Sequence, residues 1–228
     1  MRMDELAGMI DHTFLKAFGT PAEMERICRE AAHYGFAMVA INPAEVEACV
    51  RLLAGTRVGI GAAIGFPLGQ NTVETKAFET GDAVDKGATE IDTVINIRAL
   101  QGGRADVVRR EIANMVSVCK PAGAISKVIL ETCYLTREEK IAVCRMAAGE
   151  GADFVKTSTG FGTAGATVDD VRLMREAAGP GTRVKAAGGV RDLEAALAMI
   201  EAGASRIGTS NGVAIMRRLA EVAGGVHR

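Results

Sequence analysis

Lys156 and Lys185 are the two residues best placed by their surroundings to do chemistry. Each ends a short apolar run, DFVK and TRVK, and each leads at once into glycine-rich sequence, TSTGFG and AAGGV. An ammonium group inside an apolar strand is costly unless it is paired or gives up its proton. If the two runs are neighbouring strands with both lysines facing inward, the amines approach to about 5 Å, where two positive charges repel by roughly 3 kcal/mol at an effective dielectric of 20. That equals about two pKa units, so one amine is expected to be neutral, which is the form that attacks a carbonyl to make a Schiff base. Asp92 in TEIDTVIN, with Ile91 and Val94 around it, adds a carboxylate that could keep Lys185 charged and pass protons. The structural alternative is strand-end or surface pairing for each lysine and an inert buried salt bridge for Asp92. Two lysines in adjacent strands, both opening into glycine turns, favour the chemical reading.

Three further segments suit an anion. They are Gly160-Phe161-Gly162, Gly188-Gly189-Val190-Arg191 and Gly208-Thr209-Ser210-Asn211-Gly212. Glycines let backbone N–H groups come close to a phosphate, and a following helix adds the favourable end of its dipole. Any one such loop is weak evidence; together they point to a phosphate site. His12 follows Asp11 and reads as a hydrogen-bonded structural residue. With His33 in a helical segment and His227 near the end of the chain, no histidine–carboxylate cluster suggests a metal.

The elements that must hold these residues alternate. Short apolar runs near 9–11, 37–41, 58–63, 91–95, 127–130, 154–157, 184–187 and 206–208 are expected strands, separated by longer stretches of helical period. Thr20, Asn42 and Thr136 each precede a Glu by three residues and predict capped helix starts. Gly35, Gly87, Gly151 and Gly203 each stand just before a strand, as helix-ending glycines do. The intervals from Gly35 to Gly87 and from Gly151 to Gly203 are both 52 residues, two βα units apiece. Eight such units in 228 residues predict one (β/α)₈ barrel domain over residues 1–228, with reactive groups at the C-terminal ends of its strands.

The bulk numbers agree with a small-molecule enzyme. Lys and Arg number 27 against 28 Asp and Glu, so no broad positive field exists to bind nucleic acid or an anionic membrane. Apolar residues make up 48% of the chain, sufficient for a large core. Five scattered cysteines without metal or redox spacing read as reduced thiols, and the acidic start MRMDELAGMI has neither a signal peptide nor a membrane span; a cytoplasmic location is expected.

The motifs IDHTFLK, INP, EIDTVINIRAL, SKVILET, DFVKTSTGFGTAGAT, KAAGGVR and RIGTSNG, spread over nearly the whole chain, resemble those of the deoxyribose-phosphate aldolases. The resemblance implies a class I aldolase that interconverts 2-deoxy-D-ribose 5-phosphate with acetaldehyde and D-glyceraldehyde 3-phosphate and needs no cofactor. It makes Lys156 the Schiff-base lysine, Lys185 its perturbing neighbour and Asp92 the proton-transfer carboxylate. It places Gly160, Gly188, Gly189, Gly208, Ser210 and Asn211 at the phosphate, Asn211 standing where a smaller residue is common. It puts Asp11, Thr13 and Lys127 on strand ends near the substrate, and it implies a homodimer or larger homo-oligomer. Some members carry a cysteine where this chain has Ala40, a thiol that unsaturated aldehydes capture; some end in a tyrosine-bearing tail, whereas this chain ends in VAGGVHR. Another Schiff-base sugar-phosphate aldolase, or a non-catalytic phosphosugar-binding barrel, are the alternative readings.

Overall fold

A computed structural model describes residues 1–225. Eight strands follow one another: β1 (Ile10–Phe14), β2 (Met38–Ile41), β3 (Gly59–Ile64), β4 (Glu90–Val94), β5 (Ile125–Ile129), β6 (Phe154–Lys156), β7 (Arg183–Ala187) and β8 (Arg206–Thr209). Each pairs in parallel with the next, and β8 closes on β1 through Asp11 opposite Gly208. Helices cover the outside, so the architecture is the (β/α)₈ barrel that the alternation predicts.

Strand alternation divides the core in two. Val39, Ile41, Ala62, Ile91, Val128, Val155, Val184 and Ile207 point outward and pack with the helices. The residues between them point into the barrel, and many there are charged. Helix starts follow the capping chemistry: Thr20 and Thr136 accept from the backbone N–H of Glu23 and Glu139, whose carboxylates reach back, and so open α2 (Pro21–Tyr34), which follows the short α1 (Met3–Ala7), and the later helix Arg137–Gly149. The Asn42 prediction differs. Its side chain caps nothing, and Pro43–Glu45 form a single 3₁₀ turn before the next helix, Val46–Leu52. Gly35 ends α2 in the left-handed region at φ 70°, the conformation that a Cβ disfavours, and Gly87, Gly151 and Gly203 repeat the arrangement.

The strand boundary departs furthest from the apolar pattern at β1. The apolar pattern suggests an end near Asp11, because a charged residue usually marks the point where a strand meets water; in fact the strand runs on to Phe14, and Asp11 is its second residue. Lys127 is likewise the third residue of β5 rather than a strand end. Both lie deep in the barrel, fully buried. None of the described helices is long and apolar enough to cross a membrane. His227 lies outside the described residues, as does the last part of the VAGGVHR tail.

Candidate active site

The inward faces of β1, β4, β5, β6, β7 and β8 bring seven ionisable side chains together. Lys156 and Lys185 are direct register partners on β6 and β7, and Asp92 and Lys127 on β4 and β5. Asp92 is the hub. Its Oδ2 accepts from Lys156 Nζ at 2.8 Å and from Lys185 Nζ at 2.7 Å, while its Oδ1 accepts from Lys127 Nζ at 2.8 Å. Two lysines meeting on one oxygen are necessarily close, as the sequence requires. Below them, Lys185 pairs with Asp11 at 2.6 Å, Lys127 with Glu90 at 2.5 Å, and Arg206 with Glu90 at 2.7 Å and with Asp11.

Counting charges explains which group yields its proton. Lys127, Lys156, Lys185 and Arg206 are four cations facing three carboxylates, Asp11, Glu90 and Asp92, all of them buried. One cation is in excess. Lys127 and Arg206 each touch two carboxylates, which outweigh burial and raise their pKa values. Lys156 has Asp92 alone. Burial, and then the charges of Lys185 and Lys127, outweigh that carboxylate and bring its pKa down from 10.5 to about 8. The pairing of the two lysines predicts Lys185 as the cause of this depression; burial is the larger cause and Lys185 the second contributor to it. Burial also disfavours the Asp92 anion, yet the three ammonium groups, Lys127 foremost, hold its carboxyl well below the usual range.

Only one of the four cations lines the cavity that opens at the C-terminal end of the strands. A cavity of about 480 Å³ at the C-terminal end of the strands is lined by Lys156 together with Thr13, Gly160, Gly188, Gly189, Gly208 and Ser210. Lys127, Lys185, Asp92 and Asp11 lie beneath its floor. Thr13 donates to the Asp11 carbonyl at 2.9 Å. Asn211 stands outside the lining: its amide donates to the Arg191 carbonyl at 3.1 Å and its backbone N–H to Thr209 Oγ1 at 3.0 Å, so it ties two glycine loops together rather than facing the cavity. The loops approach each other closely. A Cβ on Gly165 would stand 2.1 Å from the Gly188 oxygen, so no other residue fits there. A larger cavity of about 620 Å³ opens beside this one, lined by Phe18, Pro21, Ala48 and Leu52 among others. None of the interior charges reaches it, so size does not identify the site; the ionic floor does.

Glu90 and Arg206 were not among the residues singled out in the sequence. Strict alternation would have found them, since Glu90 shares the face of Asp92 and Arg206 that of Gly208. His12 points outward and is buried, with Nε2 2.7 Å from Glu30; burial first of all lowers its pKa, so it takes no part in the interior network. Ala40 is buried on the inward face of β2, so no sulfur stands at that position, and of the five cysteines only Cys133 is not buried. Crotonaldehyde should therefore leave activity largely intact over an incubation that modifies exposed thiols. Rapid inactivation, read with peptide mass mapping, would contradict this.

The family model described as DeoC/LacD family aldolase matches residues 6–219. A protein of Bacteroides thetaiotaomicron named deoxyribose-phosphate aldolase is 67% identical over 226 residues, covering 99% of this chain and 95% of the relative. One of the same name from Thermococcus gammatolerans is 54% identical over 93% of this chain and 95% of its own. Among solved structures, the tetrameric deoxyribose phosphate aldolase of Aeropyrum pernix superposes with a TM-score of 0.90 at 33% identity, covering 97% of this chain and 93% of that one.

Proposed function

This chain belongs to the DeoC/LacD family of aldolases, and from that premise we propose that it reversibly cleaves 2-deoxy-D-ribose 5-phosphate to D-glyceraldehyde 3-phosphate and acetaldehyde through a Schiff base on Lys156. The relatives' shared name supports the reaction. The observation that carries the residue assignment is that Lys156, alone of four buried cations, lines the cavity and titrates near 8. At pH 7 a pKa of 8 leaves about a tenth of the amine neutral, against roughly three parts in ten thousand for an ordinary lysine.

In this reading the Lys156 nitrogen attacks C1 of the open-chain sugar to give a carbinolamine, which loses water to an iminium. The iminium accepts the electron pair of the C2–C3 bond as the C3 hydroxyl gives up its proton. Glyceraldehyde 3-phosphate departs with its new carbonyl at C3, leaving an enamine on Lys156. Protonation at C2 and addition of water then release acetaldehyde and restore the amine. Asp92, shared by Lys156 and Lys185 through one oxygen, is the group through which these protons travel, and Lys185 is held between Asp92 and Asp11. The glycine loops and Ser210 hold the phosphate by backbone N–H groups, with Arg191 on the same rim. A cytoplasmic location and assembly as a homodimer or larger homo-oligomer belong to the same proposal; the tetrameric Aeropyrum pernix structure supports the assembly.

Trapping with acetaldehyde and borohydride tests the reading. Peptide mass mapping should place the reduced adduct on Lys156, and the trapping rate should climb with pH and level off above about 8. A protein that binds the phosphosugar yet takes no label is a binding barrel and not an aldolase; label on another lysine overturns the assignment of Lys156.

A further inference from the structure

Glu131 follows β5 and is the sole non-glycine residue with positive φ among those described, at φ 56° and ψ 65°. It is also buried, with 3% of its surface exposed. A carboxylate in the left-handed region and out of water is disfavoured twice over, so a specific set of bonds must hold it there. Both hydrogen bonds of its carboxylate go to one neutral residue on the neighbouring loop. Thr159 donates its backbone N–H to Oε1 at 3.2 Å and its hydroxyl to Oε2. The Thr159 hydroxyl oxygen in turn accepts the N–H of Phe161 at 3.0 Å. The adjacent Thr132 N–H donates to the Thr157 carbonyl at 2.9 Å. The loop lies close against this strap: a Cβ on Gly162 would stand 3.0 Å from the Glu131 carboxyl carbon and 2.8 Å from Cys133 Sγ.

The segment so clamped begins next to the nucleophile. Thr159, Gly160 and Phe161 line the cavity three to five residues after Lys156, across from Gly188 and Gly189. The same bonds that fix Thr159 thus orient the N–H groups that follow it and set their distance from the Lys156 nitrogen. We propose that Glu131 is a positioning residue for substrate phosphate, acting through Thr159 to hold the Gly160 loop in its anion-binding conformation. The inference rests on the phosphosugar reading above, and it assigns Glu131 no part in proton transfer.

The test compares 2-deoxyribose 5-phosphate with unphosphorylated 2-deoxyribose in the full chain, together with acetaldehyde–borohydride trapping at Lys156. Glu131→Ala and Thr159→Val should each raise KM for the phosphorylated sugar by roughly 10- to 100-fold, the loss expected for hydrogen bonds to a charged acceptor. The preference for phosphorylated over plain sugar, taken as a ratio of kcat/KM values, should fall by a similar factor. Thr159→Ser, which keeps the hydroxyl, should recover most of it. An unchanged ratio in both Glu131→Ala and Thr159→Val overturns the proposal, whether the two activities fall together or not at all. If Glu131→Ala does not fold, Thr159→Val, with the carboxylate intact, decides the matter by the same ratio. A parent enzyme with no preference for the phosphorylated sugar would instead defeat the phosphate reading, and the strap with it, while normal trapping would leave the Schiff-base assignment standing.

Discussion

Lys156→Leu is expected to lower cleavage of 2-deoxyribose 5-phosphate by at least about 10⁴-fold and to abolish specific borohydride trapping, because Lys16, the other amine lining the cavity, is exposed at its rim and stands outside the buried ion pairs of Asp92, so it does not replace the proposed nucleophile. The barrel should nonetheless fold. Removing Lys156 leaves three interior cations facing three carboxylates, a balanced set. The sign of the pH dependence follows. A lysine whose folded pKa lies below its unfolded value binds fewer protons in the folded state between about 8 and 10.5, so the parent protein gains stability over that range. Below pH 8 the parent carries the full penalty of the extra buried charge. The stability of Lys156→Leu relative to the parent should therefore be highest below pH 8 and decline as pH rises toward 10.5. Chemical denaturation at a series of pH values checks this, and a relative stability that increases with pH would refute the charge count.

Asp92→Asn is the complementary experiment and should damage both function and fold. It keeps the shape of the side chain but leaves Lys127 with Glu90, Lys185 with Asp11 and Lys156 without its carboxylate. Breaking a buried ionic network by removing one partner costs about 3–5 kcal/mol. At 2–4 °C per kcal/mol for a chain of this size, the melting temperature should fall by roughly 6–20 °C. Loss of the proposed proton relay should reduce turnover by roughly 10²–10⁴-fold. A variant that melts like the parent and turns over at a comparable rate would show that Asp92 is neither the hub nor the relay.

Much of this site is legible in the amino-acid sequence. Lys156 and Lys185 declared themselves because a lysine inside an apolar run contradicts its own hydration, and the glycine loops because turns leave strong local marks. Other features were hidden. Asp11 read as a strand end because charge usually marks an exit to water, and only the closed interior, where Arg206 and Lys185 await it, makes a mid-strand position tolerable. Asn211 sits within a glycine loop and so resembled its neighbours; its side chain turns to the Arg191 carbonyl instead. Glu131 follows the apolar SKVIL as an ordinary polar exit from a strand, and nothing local announces its left-handed backbone or its hold on Thr159.

The amino-acid order on its own determined the alternation of strands and helices, the two facing lysines and the loops that end their strands, since each is a pattern carried by a few consecutive residues. Closure of the barrel decided the rest. Arg206 and Asp11 are 195 residues apart and meet only because β8 pairs with β1. Whether four buried cations find three carboxylates or four is a property of that closed interior, and so is the identity of the lysine left to give up its proton. Electrostatic energy depends on distances through space and on exclusion of water, and neither quantity exists along an unfolded chain.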